Sequence, residues 1–413
     1  MRLTVRTTSL DLREPLRISR SVMSSRDAVW VRVEHRGVSG HGEAVGSAYL
    51  GLAAADAARA LHGLAPALAR FPDPETALDT LHHGGLLPLG TPAGVEAAVE
   101  SALLDLVGRR AGLPLHALLG APAAPAAATA RTIGITGPDR AAAQARALVG
   151  QGFTVLKIKA GSPDPAEDLD RVAAVRDAAG PVRLLLDPNG AWSPRRAEKL
   201  LPRFAAAGVE AVEQPIAPGD PDTLALLAEH SPLPVIADED ATGYEDTLRL
   251  AGRVQGVNIK LAKCGGVHRA LRICAALEGS GTGVMLGCLT ASSLGIAPAV
   301  HLVDRATWVD LDGHLLLARD PWQGIGGTDG TVRAAPEPGL GVSAVDHHVS
   351  AGGHHVTAAH RTPPGHPTSL PHRTPSGIRP GPEPRTTPQE PRTTPAEPAE
   401  PEEPAEPEEE AAP

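Results

Sequence analysis

Thr154-Val155-Leu156-Lys157-Ile158-Lys159 is a β-type run that ends on charge. Side chains alternate across a strand, so Lys157 and Lys159 project to the same side. The form recurs downstream in Leu184-Leu185-Leu186-Asp187, Ala211-Val212-Glu213, Val235-Ile236-Ala237-Asp238 and Asn258-Ile259-Lys260. Between these runs lie Ala- and Leu-rich stretches with helical periodicity. The pattern predicts strands over 132–135, 154–159, 183–187, 210–213, 234–238, 256–260, 283–287 and 307–310. Helices are expected over 138–150, 165–179, 194–207, 221–230, 244–251, 267–279 and 292–303. Eight strands alternating with seven helices imply parallel βαβ units, and eight strands can close a barrel. An open doubly wound sheet is the competing reading. No Gly-x-Gly-x-x-Gly follows the first strand, which counts against a dinucleotide fold.

Ahead of this series, residues 2–9 and 28–35 alternate as half-buried strands, and 41–45 reads as a returning strand. Residues 17–24 and 46–51 read as loops, and 53–67, 74–83 and 93–111 as helices. Strands followed by helices indicate a separate α+β unit. Beyond about residue 345 the composition collapses into Pro, Thr, His, Glu and Ala, which is expected to stay disordered. That tail carries seven of the 17 histidines, and a solvated tail is a simpler reading than metal binding.

Composition narrows the function classes. The formal net charge is -10, of which -6 belongs to residues 346–413. The body is too close to neutral to argue for nucleic acid or an anionic membrane. No apolar run is long enough to span a bilayer, and the N-terminus lacks a signal-peptide pattern. Three cysteines make no disulfide framework and suit a reducing cytosol, so a cytoplasmic protein is expected. A homo-oligomer is compatible with the sequence.

The chemistry gathers at predicted strand ends, where functional groups collect in a parallel barrel. Asp187, Glu213 and Asp238 are separated by 26 and 25 residues, about one βα unit each. Three carboxylates aimed at one point repel each other and are driven to protonate. A divalent cation removes that problem, and hard oxygen ligands suit Mg²⁺. Only five of the 38 Lys and Arg residues are lysines. Lysine, unlike arginine, can lose its proton when desolvated and act as a base. Asp310 and Asp312 stand two apart at the last strand end. They face either a cation in the site or a turn before Gly313.

Residues 1 to about 340 resemble the enolase superfamily, muconate-lactonizing subgroup. The resemblance rests on Lys157-Ile-Lys159, Asp187-Pro-Asn-Gly-Ala-Trp192, Glu213-Gln-Pro215, Ala237-Asp-Glu239 and Asn258-Ile-Lys-Leu-Ala-Lys-Cys-Gly-Gly266. It implies an α/β protein with an α+β capping domain (1–125) on a modified (β/α)7β TIM barrel (126–318). A return to the cap (319–345) and the tail (346–413) would follow. It implies Mg²⁺ held by Asp187, Glu213 and Asp238, an acid/base pair of Lys159 and Lys260, and a carboxylate-binding Lys157. The Asp310-x-Asp312 pair resembles the ammonium site of the dipeptide epimerases. Arg20 stands where alanyl-glutamate epimerases carry an arginine for the acidic side chain, though a solvated loop arginine reads equally well. Thr132, Cys288 and Thr290 are expected to line the pocket, with Cys288 alternatively a core residue. Lys263 is expected to pair with Glu239. Pro188, Asp240, Leu289 and Ala291 depart from the family pattern, and the last two put substrate identity in question. The implied activity is inversion of the second residue of a dipeptide, most simply L-Ala-D/L-Glu from peptidoglycan recycling. An N-acylamino acid racemase, o-succinylbenzoate synthase or cycloisomerase is the alternative. A non-catalytic scaffold is disfavoured because every ligand and base is present.

Overall fold

The structure, a computed structural model, describes residues 1–345. The sequence-based expectation for the tail lies outside the described residues. Three antiparallel strands open the chain: Arg2–Ile18, Ser21–His35 and Val38–Val45. The helix Ala93–Ala111 lies directly on this sheet. Gly40 and Gly42 make that approach possible, since a Cβ at either would sit 2.1 Å from a carbonyl oxygen of the helix. Val29, Val31, Val33, Leu61, Leu68, Leu103 and Leu106 fill the core beneath.

The first hairpin corrects the sequence reading. Residues 17–24 were expected as a loop, yet the strands continue through Leu16↔Met23, Arg17↔Val22 and Ile18↔Ser21 to a turn at Ser19 and Arg20. The run is too rich in Arg and Ser to show period-2 hydrophobicity. What orders it is tertiary: the Ile135 N–H donates to the Arg17 carbonyl at 2.8 Å, so the hairpin tip rests on the barrel.

Eight parallel strands follow: Arg131–Ile133, Val155–Lys159, Arg183–Asp187, Ala211–Glu213, Val235–Ala237, Gly256–Ile259, Gly283–Gly287 and Trp308–Asp310. They pair in sequence order. The Ala130 N–H reaches the Val309 carbonyl at 2.8 Å and nearly closes the ring. Many helices open on a capping side chain followed by proline: Asp164-Pro165, Ser193-Pro194 and Asp220-Pro221. The cap accepts from a free backbone N–H, and proline at the first helical position gives up no needed donor.

Strand alternation then builds the interior in layers. Val155, Leu185, Ala211, Ile236, Met285 and Trp308 form an apolar floor. Two residues further along the same strands stand Lys157, Asp187, Glu213, Asp238, Gly287 and Asp310. Leu156, Ile158, Leu184 and Leu186 point outward into the helix layer. Among the described residues no helix is long and apolar enough to cross a membrane.

Residues beyond the barrel return to the cap. The Arg109 guanidinium donates to the Val342 carbonyl at 3.0 Å, and Asp105 accepts from the Leu340 N–H at 2.9 Å. Trp322 packs edge-on against Trp30, with ring centroids 5.9 Å apart.

Glu43 joins cap to barrel. It accepts from the Trp30 indole at 2.7 Å, from the Ser292 N–H at 2.9 Å and from the Ser292 hydroxyl. Burial pushes its carboxyl up to about 7, although the Ser292 and Trp30 hydrogen bonds pull the other way. Its folded value lies above its unfolded one. The stability it contributes is therefore full below about pH 4.5 and is lost as pH rises through 7. Unfolding free energies of wild type and Glu43→Gln from urea titrations should diverge over that window by about 3 kcal/mol. A pH-independent difference would refute the assignment.

Candidate active site

A cavity of about 730 Å³ opens where the barrel strands end, beneath the hairpin tip and residues 47–49. Lys157, Lys159, Asp238, Lys260, Asp310 and Asp312 line it together with Thr132, Cys288 and Thr290. Its size suits a small-molecule ligand.

The three acids are buried and each faces an ammonium group. Lys157 Nζ lies 3.1 Å from Asp187, 2.5 Å from Glu213 and 2.7 Å from Asp310. Lys159 Nζ is 2.5 Å from Asp187. Lys260 Nζ is 2.7 Å from Asp238 and 3.8 Å from Glu213. Lys159 and Lys260 come from the second and sixth of eight strands, so they approach the cavity from opposite walls.

Lys263 departs from expectation: it pairs with Asp238 at 2.6 Å rather than with Glu239. It sits on the short helix Leu261–Cys264, which turns it back toward the fifth strand. Glu239 instead binds Arg20 at 2.8 Å. Arg20 also donates to the Asn189 carbonyl at 2.9 Å and stacks over Tyr49. Asp310 ends the eighth strand, whereas Asp312 lies beyond it and does not continue the alternation. Asp312 Oδ2 accepts from Arg131 at 3.0 Å and from the Thr132 N–H at 2.8 Å. Cys288 Sγ faces the Asp310 carbonyl at 3.4 Å, and burial pushes the thiol well up.

Sequence reasoning missed several supports. Asn258 donates to Glu213 at 2.8 Å. Gln214 accepts from the Asp238 and Asp240 N–H groups and donates to Asp240 at 2.7 Å. Gln214 and Asn189 hold φ values of 36° and 50°, strained conformations beside the acids. Asn258 and Gln214 stood inside the quoted motifs, so their neighbours carried the signal. Arg131 had none.

Electrostatics show what the acids need. Burial and the Asp187 carboxylate push Glu213 up to about 7, with Asp238 adding to it, against the pull of Lys157 and Lys260. Burial also works against Asp187 and Asp238, yet the lysines beside each hold both well below the usual range. Burial pulls Lys260 down, but Asp238 and Glu213 outweigh it and hold it well above the usual range. Among the described residues, no three acidic, His or Cys side chains converge into a ready cage for a metal ion. The donor set nevertheless fits a hard divalent cation: three mutually repelling carboxylates, drawn at present to ammonium groups. Glu213 Oε2 is within ion-pair distance of Lys157 but outside hydrogen-bond alignment, and Asp310 Oδ1 is buried without a partner.

Residues 1–120 match the family pattern described as mandelate racemase / muconate lactonizing enzyme, N-terminal domain. Residues 140–348 match the pattern described as enolase C-terminal domain-like. A hydrophobic dipeptide epimerase of Roseobacter litoralis is 35% identical over 345 residues, covering 83% of this chain and 98% of the relative. An L-Ala-D/L-Glu epimerase of Bacteroides thetaiotaomicron is 32% identical over 347 residues, covering 84% and 88%. The dipeptide epimerase of Enterococcus faecalis V583, solved with Mg and L-Leu-L-Tyr, superposes with a TM-score of 0.78 at 31% identity, covering 83% and 99%.

Proposed function

Since the chain belongs to the mandelate racemase / muconate lactonizing enzyme family, we propose that it is a Mg²⁺-dependent epimerase inverting the α-carbon of the second residue of a dipeptide. The observation that carries this reading is the pair of lysines on opposite walls of one cavity, each beside a buried acid. Asp187, Glu213 and Asp238 would hold the ion. Bound there, it would stabilise the negative charge that builds on the substrate carboxylate as the α-proton leaves.

The chain's own groups do the rest. Lys157, held by three acids, keeps a fixed positive charge for the same carboxylate. Lys159 and Lys260 face opposite sides of the α-carbon. One removes a proton and the other delivers a different one, which inverts configuration. Asp310 and Asp312 receive the free α-ammonium, with Arg131 and the Thr132 N–H fixing the orientation of Asp312. Peptidoglycan-derived dipeptides in the cytoplasm are the substrates proposed, and three unpaired thiols support that compartment.

A second reading draws on the fact that Asp310 and Asp312 already face Lys157 and Arg131. A substrate without an ammonium, such as an N-acylamino acid, would leave those pairs intact. One experiment separates the two. A dipeptide panel in D₂O, free and N-acetylated, is followed by NMR at the second α-carbon. The free dipeptides should take up deuterium and the acetylated ones should not. Exchange confined to acetylated substrates would overturn the dipeptide reading.

A further inference from the structure

A second cavity of about 710 Å³ adjoins the active site. The first seven barrel strands are each followed by a helix, but the eighth, Trp308–Asp310, leads into a single 3-10 turn, Gly313–Leu316. The second cavity opens between that turn and the helix Pro138–Gly150. One ion pair stands in the wall between the two cavities. Arg131 lines the second and not the first, Asp312 lines the first and not the second, and the two side chains meet at 3.0 Å. Thr132, whose N–H also binds Asp312, lines both.

Several polar groups around the second cavity are left unmet by the fold. His314 and Trp322 are only 6% and 4% exposed, yet His314 Nδ1 and Trp322 Nε1 are buried without a hydrogen-bond partner, as is Gln144 Oε1. His314 Nε2 faces the Gly326 carbonyl at 2.9 Å. A carbonyl only accepts, so Nε2 carries the proton. Burial lowers the pKa of the ring and keeps it neutral, which makes Nδ1 an acceptor. The acids of this cavity are already satisfied: Glu14 pairs with Arg140 at 2.8 Å, and Asp320 accepts from Ser293 and from the Trp322 backbone N–H. Arg13 is exposed at the cavity and makes no ion pair among the described residues. The unspent groups are therefore a guanidinium, an indole N–H and two neutral acceptors. Half-buried Leu148 and Leu315 add apolar surface. Buried polar atoms beside a roomy cavity are met by water or by a ligand, and apolar walls favour an organic one.

We propose that this cavity binds a free α-amino acid with an apolar side chain, and that its occupancy tightens the neighbouring ammonium site. The ligand carboxylate would meet Arg13 and Arg131, its ammonium would donate to His314 Nδ1 and Gln144 Oε1, and its side chain would lie on Leu148 and Leu315. An anion that shares Arg131 weakens its hold on Asp312, and more of the Asp312 charge is left for the substrate's ammonium. The coupling rests on the dipeptide epimerase reading, whereas the binding does not.

The test is calorimetric titration of L-leucine into the full-length protein, which should bind saturably. L-Leucinamide lacks the carboxylate and should bind about 10-fold more weakly. With L-Ala-L-Glu as substrate, L-leucine should lower KM by roughly 5-fold and leave kcat unchanged. Ala147 is exposed on its helix, so Ala147→Trp places a ring at the cavity without disturbing the core. Gln144→Met removes an acceptor at nearly constant shape. Each should weaken L-leucine binding about 10-fold or more, and the KM measured without L-leucine should stay at the wild-type value. Absence of L-leucine binding, competition of L-leucine with the dipeptide, or wild-type binding in both variants would overturn the proposal. So would dissociation of an oligomer by Ala147→Trp, which would assign the cavity to a neighbouring copy of the chain. If wild type turns over no dipeptide, the epimerase reading and the coupling fall, while L-leucine binding that Ala147→Trp abolishes still supports the site.

Discussion

Lys260→Ala and Lys159→Ala should each abolish inversion in both directions, with kcat falling by roughly 10⁴-fold. In the proposed mechanism each amine is the proton carrier on its own side of the α-carbon. The variants should also stay folded, for a specific reason. Removing Lys260 leaves Asp238 paired with Lys263 at 2.6 Å, and removing Lys159 leaves Asp187 paired with Lys157 at 3.1 Å. Neither acid is stranded as an unpaired buried charge, the situation that costs most. Loss of activity with an unchanged melting temperature is therefore the expected result. Lys157→Ala differs, because one ammonium there serves three carboxylates, and it should unfold at lower temperature as well as lose activity.

Metal dependence is the second large effect. Chelation followed by desalting should stop turnover, and Mg²⁺ should restore it. Glu213→Gln should lower the Mg²⁺ affinity and cost about 10³-fold in rate, equivalent to several kcal/mol of charge stabilisation. The physical basis is the crowding at Glu213, whose carboxyl is pushed up to about 7 by burial and by Asp187, with Asp238 adding to it. Calorimetric titration with Mg²⁺ reads binding without relying on activity. Full turnover by metal-free protein would refute this part of the account.

The site was legible in sequence to the extent that strand alternation expresses it. Val155, Lys157 and Lys159 share a phase, as do Leu185 and Asp187, so the floor and the charged layer follow from period-2 reading alone. The spacing of Asp187, Glu213 and Asp238 by one βα unit exposed their common address. What stayed hidden depends on where strands stop. Asp312 falls past the end of its strand, where alternation no longer fixes direction, and its partner Arg131 carried no signal in the sequence. Lys263 sits on a single helical turn, where strand reasoning does not apply. The hairpin through residues 17–24 is ordered by its contact with the barrel, which local composition does not encode. The Arg20–Glu239 pair is likewise tertiary: Glu239 is more than two hundred positions from Arg20 in sequence.

The central claim is that two amines act on opposite faces of one carbon. Its most direct test is α-proton exchange in D₂O by the Lys159→Ala and Lys260→Ala proteins, offered each epimer of the dipeptide separately. Each variant should exchange only one epimer, and the two should choose oppositely. Exchange of both epimers by either variant would contradict the account.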